Sequence, residues 1–272
     1  MIEKFRKFFV FLLLSIGALL MITPFIWSLL SSFKPASEIL SLEPAFLPKK
    51  PTLANYAEVL KTGKFLWWYL NSLAVAIITT FSVCFFSSLA GYSLAKYKYV
   101  GKEIIFYTIL STMMIPMEML VIPWFIVANY FGALDTWLGI MFPGLISAFG
   151  VFLMKQFMEG IPDALIEAAR IDGTSEFKIF YRIILPNVKP ALASLAIFTF
   201  IGSWDAFLWP LIVTTKSECM TLPVGLQGFA GVQGIQYHLI IAAANLVIIP
   251  VLAVFLIFQK QIIKGMATSG IK

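Results

Sequence analysis

Between two long apolar runs, the stretch Gly160-Ile161-Pro162-Asp163-Ala164-Leu165-Ile166-Glu167-Ala168-Ala169-Arg170-Ile171-Asp172-Gly173, continuing to Ile183-Ile184-Leu185-Pro186, gathers acids, bases, small residues and a glycine. In this setting they read as a docking element. Pro162 suits a first helical turn, where its missing N–H costs nothing, and Asp163 and Glu167 lie toward the positive end of the helix dipole. Ala168 and Ala169 favour helix and let another surface approach closely. Gly173 supplies a C-cap with positive φ. From Thr174 or Ser175 a second amphipathic stretch is expected to put Phe177, Phe180, Tyr181 and Ile184 on one face, with Lys178 and Arg182 opposite. Pro186 closes it. The expected product is a helix, a glycine turn and a second helix held by its apolar face, with the first helix and the turn left presented.

Other polar groups stand alone in apolar surroundings. Glu118 follows Ile115-Pro116-Met117, Asp205 follows Gly202-Ser203-Trp204, and Asn245 precedes Pro250. An ionised side chain at a bilayer centre costs about 2.5–3.5 kcal/mol and so faces protein or water. Glu118 fits either a cavity lining or a structural hydrogen bond, and Asp205 is expected to face the bundle interior. The sequence has no G-x-x-x-x-G-K-[ST], H-E-x-x-H or G-x-S-x-G pattern, and a lone His238 with Cys84 and Cys219 makes no metal set. No cofactor is expected on this chain, and it is not expected to be an enzyme by itself. Energy for uphill work would come from a partner.

The elements that must position these residues are membrane helices. Of 272 residues 60% are apolar and 12% charged, and the mean hydropathy is +0.91. Roughly 17–25 apolar residues cross the hydrocarbon, and six segments qualify, near 8–33, 69–95, 104–129, 137–158, 188–213 and 238–260. Two prolines, Pro116 and Pro123, are expected to kink or break the third. Basic residues concentrate in the segments that share a side with the N-terminus: Lys4, Arg6 and Lys7, then Lys96, Lys98 and Lys102, then Lys155 to Lys189. Basic short loops stay in the cytoplasm, so both termini and the 160–186 loop are expected there. Trp67, Trp68 and Tyr69 read as an aromatic belt in lipid, and Thr52 to about Leu60 as a short helix with Thr52 as its N-cap and Gly63 as its stop. The net charge of +6 fits anionic headgroups and forms no basic stripe for nucleic acid.

Glu167-Ala168-Ala169, Gly173, Ile183, Leu185 and Pro186 match the pattern E-A-A-x3-G-x9-I-x-L-P, and in this spelling the chain resembles the permease subunits of ABC importers. Thr23-Pro24-Phe25-Ile26-Trp27, Ser32-Phe33-Lys34, Asn55-Tyr56, Asn71-Ser72, Ala90-Gly91-Tyr92-Ser93-Leu94-Ala95, Trp204-Asp205-Ala206-Phe207 and Thr221-Leu222-Pro223-Val224-Gly225-Leu226 look like landmarks of its carbohydrate-importing members.

The resemblance implies an all-α, six-span type I permease fold. Residues 1–272 would form one permease domain of the cell membrane, with 160–186 as its coupling loop. It implies a second permease, two cytoplasmic ATPase subunits carrying ATP and Mg, and an extracytoplasmic solute-binding protein. Glu167, Ala168, Ala169, Asp172, Gly173, Ile183, Leu185 and Pro186 would then form the docking element. The outer segments 35–68 and 214–237 would face the binding protein. Glu118, Trp204, Asp205 and Asn245 are candidates for the pathway of a sugar or related solute. Two alternatives stay open: the same machine with a non-sugar cargo, and an ion-coupled secondary carrier with Glu118 and Asp205 as its acids.

Overall fold

The structure, a computed structural model, describes residues 2–41, 45–62, 64–230 and 235–269, with side chains from 3 to 229 and from 235 to 259 within them. The regular structure there is helical: α1 (Ile2–Ser32), α2 (Ala54–Lys61), α3 (Phe65–Lys96), α4 (Lys102–Thr112), α5 (Met117–Tyr130), α6 (Trp137–Met141), α7 (Ala148–Glu159), α8 (Asp163–Ile171), α9 (Lys189–Trp204), α10 (Leu208–Val213) and α11 (Tyr237–Ser269), joined by shorter turns. Helix is the form an apolar segment takes in lipid, because it satisfies its own backbone. The expected stop at Gly63 and the last three residues lie outside the described residues.

Among the described residues, α1, α3 and α11 contain continuous apolar stretches long enough to cross a bilayer. Three further candidates are bent pairs: α4 with α5 at 97°, residues 137–144 with α7 at 48°, and residues 176–187 with α9 at 81°. The first bend answers the paired prolines. Pro116 is the N-cap of α5, with φ −59° and ψ 135°, and α4 ends before it, because Pro116 has no N–H to continue a helix and its ring would clash with the carbonyl four residues earlier. Pro123 lies inside α5 without ending it.

The segment expected as one span over 188–213 is interrupted. Helix α9 stops at Trp204 with Asp205 as C-cap, and α10 restarts at Leu208. The cause is local, since the ring of Pro210 would clash with the carbonyl of residue 206 in an unbroken helix.

The chain forms two compact units. In the unit of Met1–Leu66 and Gly225–Ile249, the C-terminal carbonyls of α1 lack helical partners, a general liability of helix ends. The buried Asn55 amide donates 2.8 Å bonds to the carbonyls of both Ser32 and Lys34, Tyr56 shares a 2.6 Å bond with the Ser32 hydroxyl, and the Phe33 and Tyr56 rings lie 5.5 Å apart. The two landmark pairs are therefore one clasp. Helix α2 is capped by Leu53, and Thr52 accepts from the Ala54 amide at 3.1 Å.

In the unit of Trp67–Val224 and Pro250–Lys272, α7 lies directly on α3. A methyl group at Gly91 would stand 2.7 Å from Met154 Cβ and 2.9 Å from the Lys155 amide, and one at Gly150 would stand 2.4 Å from Ser87 Oγ. Small residues let two helices meet at this range. The belt reading of residues 67–69 is corrected here. Trp67 is 58% exposed, but Trp68 is buried and donates to the Ser217 carbonyl at 2.7 Å, and Tyr69 meets Trp204 edge-on at 5.4 Å. Protein partners took two aromatics that composition alone assigned to lipid.

Gly91→Val should cost about 1–3 kcal/mol through overpacking against a backbone amide that has no rotamer to yield. In detergent its Tm should fall clearly below that of Gly17→Ala, whose added methyl meets nothing within 4 Å. Equal Tm values for the two variants would refute the contact.

Candidate functional site

The loop after α7 is built on a buried anchor. Ile161, Ile166 and Ala169 point into a core with Tyr92, Met154, Met158, Ile179, Phe180, Ile184 and Val188. Alternate positions of α8 therefore face outward: Leu165, Glu167, Ala168 and Ile171 are exposed, Ile171 at 87%. Pro162 caps the helix start with φ −59° and ψ 131°. Lys96, at the end of α3, donates to the Ile161 carbonyl and at 2.7 Å to Asp163 Oδ1.

At the far end Gly173 has φ +72°, its amide donates to the Arg170 carbonyl at 3.0 Å, and the Thr174 amide donates to the Ala169 carbonyl at 2.9 Å. This pair of bonds is the Schellman closure, which satisfies the last carbonyls and demands a left-handed residue.

A second fastening lies just past the turn. The Glu176 carboxylate accepts from Arg170 Nε at 2.6 Å and Nη2 at 3.3 Å, from Tyr97 Oη at 2.5 Å and from Tyr92 Oη at 3.2 Å. The Arg170 guanidinium, and then the Tyr97 hydroxyl, hold the Glu176 carboxyl down at about 2. Sequence reasoning passed over Glu176. Its partners on and beside α3 are 79 and 84 residues away, so no local spacing marks it; the only nearby signal is Arg170, six positions earlier.

The second stretch differs in phase from the expectation. Residues 176–179 are α-helical, 180–184 form a wide π-turn and 185–187 are α-helical again. The wide turn rotates Ile179, Phe180, Ile184 and Val188 inward and leaves Phe177 and Tyr181 exposed at 67% and 65%. The signature thus divides in two. Glu167, Ala168 and Asp172 are presented; Ala169 and Gly173 set the helix and its turn, and the half-buried Ile183 and Leu185 pack against the same core, with Pro186 exposed. A protein seldom leaves Leu165, Ile171, Phe177 and Tyr181 uncovered around one polar knob unless another surface meets them.

The intramembrane candidates have different surroundings. Trp204 is fully buried, stacked on Phe200 at 6.1 Å and met edge-on by Tyr69. Asp205 is exposed at the end of α9 and does not face an interior, and Glu118 is exposed in the first turn of α5. In the other unit, Asn245 donates to the Ser28 hydroxyl at 3.1 Å and to the Ile241 carbonyl at 2.8 Å, tying α11 to α1. A cavity of about 390 Å³ does lie beside α3, lined by Thr79, Trp124, Ser147, Thr199, Ser203 and Trp209 among others. None of Glu118, Trp204 and Asp205, the candidates within this unit, lines it.

The opposite end of α3 holds a second loop. Asn71 donates to the carbonyls of Glu218 at 2.7 Å and Met220 at 3.0 Å and accepts from Trp137 Nε1 at 3.0 Å, while Ser72 accepts from the Leu222 amide at 2.7 Å. Asp135, at φ +57°, accepts from the amides of Thr215 at 2.6 Å and Lys216 at 2.8 Å.

Comparison with known proteins identifies relatives of the whole chain. The family described as binding-protein-dependent transport system inner membrane component matches residues 87–268. The arabinooligosaccharides transport system permease protein of Bacillus subtilis (strain 168) is 38% identical over 258 residues, covering 94% of this chain and 92% of the relative. The diacetylchitobiose uptake system permease protein of Streptomyces coelicolor is 32% identical, covering 92% of this chain and 84% of the relative. A bacterial ABC transporter involved in import of the acidic polysaccharide alginate contains a chain with TM-score 0.83 and 26% identity, covering 95% of this chain and 96% of that one.

The Glu176 fastening predicts a pH response. Its carboxyl is depressed from 4.5 to about 2, so its contribution to folding is complete above pH 4.5 and is lost as pH falls toward 2. Amide protection factors of residues 161–176 should stay level from pH 5 to 8 and drop only below about pH 4. A drop centred near pH 6 would contradict the assignment.

Proposed function

This chain belongs to the binding-protein-dependent transport system inner membrane component family, and from that premise we propose how it works and what it carries. As a member it is a multi-pass cell-membrane subunit of an ABC importer, and ATP hydrolysis belongs to a separate subunit. We read the 160–186 loop as its docking element for that ATPase. The observation that carries this reading is the contrast within α8, where Ile166 and Ala169 are buried and Glu167, Ala168 and Ile171 are held outward by a capped turn. Glu167 would meet a basic or polar group, Ala168 would admit a close approach, and the exposed Phe177 and Tyr181 would be covered on assembly.

The working assembly on this reading has a second permease, two ATPase subunits and an extracytoplasmic solute-binding protein, with both termini of this chain in the cytoplasm. The two permeases pass the cargo by alternating access. The cargo we propose is a carbohydrate, most specifically an oligosaccharide. Support comes from relatives whose names specify arabinooligosaccharides and diacetylchitobiose and from the fold shared with an alginate importer. The cavity beside α3 fits this class chemically, since hydroxyls and tryptophan rings suit a neutral polyol better than an ion.

Purification of the tagged chain from its native membrane should bring down a second permease and an ATPase. Glu167→Ala should lower the recovered ATPase about tenfold, corresponding to ~1.4 kcal/mol, with the permease pair intact. Undiminished ATPase in the variant would remove Glu167 from the contact.

A further inference from the structure

Helix α3 is fastened at both ends to loops that carry function on the reading above. At one end Tyr92, Lys96 and the adjoining Tyr97 hold the 160–186 loop through Glu176, Asp163 and the Ile161 carbonyl. At the other end Trp68, Asn71 and Ser72 bond to residues 217, 218, 220 and 222 of the segment that would face the binding protein. The helix itself is 32 continuous residues with no internal proline. Asn71 and Tyr92 are thus about 32 Å apart along one unbroken helix at 1.5 Å per residue.

The side chains that make these bonds are committed ones. Asn71 is 4% exposed and uses both its donor and its acceptor, and Ser72 is 1% exposed. Burying an amide requires that its bonds be made, so the 217–222 segment cannot shift without either moving α3 or leaving Asn71 unpaired. At the other end Glu176 is partly exposed, and what holds it is number: its carboxylate accepts from Arg170, Tyr92 and Tyr97 together. Among the described residues, the other membrane segments that lie wholly within this unit are each broken: α4 from α5, residues 137–144 from α7, and α9 from α10. A bent pair absorbs a displacement at its break. A continuous helix transmits it.

We propose that α3 is a tie rod between the two loops, and that Glu176, which lies outside the E-A-A signature, is the positioning residue that fastens the ATPase-docking loop to it. Docking and transmission are then separate duties. Glu167 and Ala168 present the contact; Glu176, Tyr92 and Tyr97 convey its movement to α3, and Asn71 conveys it to the 217–222 segment. Coupling through such a chain of bonds is expected to amount to a factor of roughly 5 to 100 between the two ends.

The inference rests on the docking reading of the loop, and the experiment separates the two. The complete importer, with its own second permease, ATPase and binding protein, is reconstituted with wild type, Glu176→Ala, Asn71→Ala and the double variant. ATP hydrolysis is followed with and without cargo-loaded binding protein, and ATPase recovery on purification is measured in parallel. Asn71→Ala should retain wild-type ATPase recovery, and Glu176→Ala, which also loosens the docking loop, should retain clearly more than Glu167→Ala; each should lose at least about fivefold of the stimulation by binding protein per bound ATPase. The double variant should fall no further than the more impaired single one, because both interrupt one path. Full stimulation in Glu176→Ala, or losses that multiply in the double variant, would overturn the tie rod. Loss of the ATPase from Glu176→Ala as complete as from Glu167→Ala would make Glu176 a docking residue, overturning the proposal while leaving the docking reading in place. Full ATPase recovery with Glu167→Ala is the separate result that would remove the docking reading. If Glu176→Ala fails to accumulate, Tyr97→Phe and Trp68→Phe, which each remove one bond from one end, take the same measurements with the same expected and overturning outcomes.

Discussion

The Glu176 carboxylate is the interaction on which the shape of the exposed loop depends. It accepts from Arg170 at the end of one short helix and from Tyr92 and Tyr97 at the end of a long one. An isolated helix of nine residues such as α8 is marginal in water. Here its ends are fixed by Lys96 on one side and by the glycine turn with Arg170 and Glu176 on the other, while Ile166 and Ala169 seat it in the core. With the loop rigid, Glu167 and Ala168 are held in place before any partner arrives, and less ordering entropy is lost on association.

Much of this was legible in the sequence, for identifiable reasons. Apolar runs locate membrane helices because hydrocarbon leaves the backbone no other form, and Pro116 and Gly173 impose geometries that few other residues supply. Family membership followed from Glu167, Gly173, Ile183, Leu185 and Pro186 at fixed spacing. It also removes the secondary-carrier alternative that Glu118 and Asp205 had left open.

What could not be read depended on long-range pairing or on a change of helical type. The π-turn at 180–184 shifted the phase of the second stretch, so a regular period placed Phe177 and Tyr181 on the wrong face. Trp68 and Tyr69 have the composition of an interfacial belt, but their partners Ser217 and Trp204 lie more than 130 positions away in sequence. Glu176 had no local signature because its tyrosines come from α3 and its margin. The local contacts of two pathway candidates were also out of reach of the sequence: Trp204 stacks on Phe200, and Asn245 bonds to Ser28. The hydroxyls of Thr79, Thr199 and Ser203, which do line a cavity, were hidden as ordinary small residues of membrane helices.

The most direct test of the account places a photo-crosslinking amino acid at Ala168 and, in a separate preparation of the same importer, at Lys216. Both side chains are exposed and neither is used in packing. Capture of the ATPase from position 168 and of the solute-binding protein from position 216 is the result the account predicts. Capture of the binding protein from 168, or of the ATPase from 216, would contradict it.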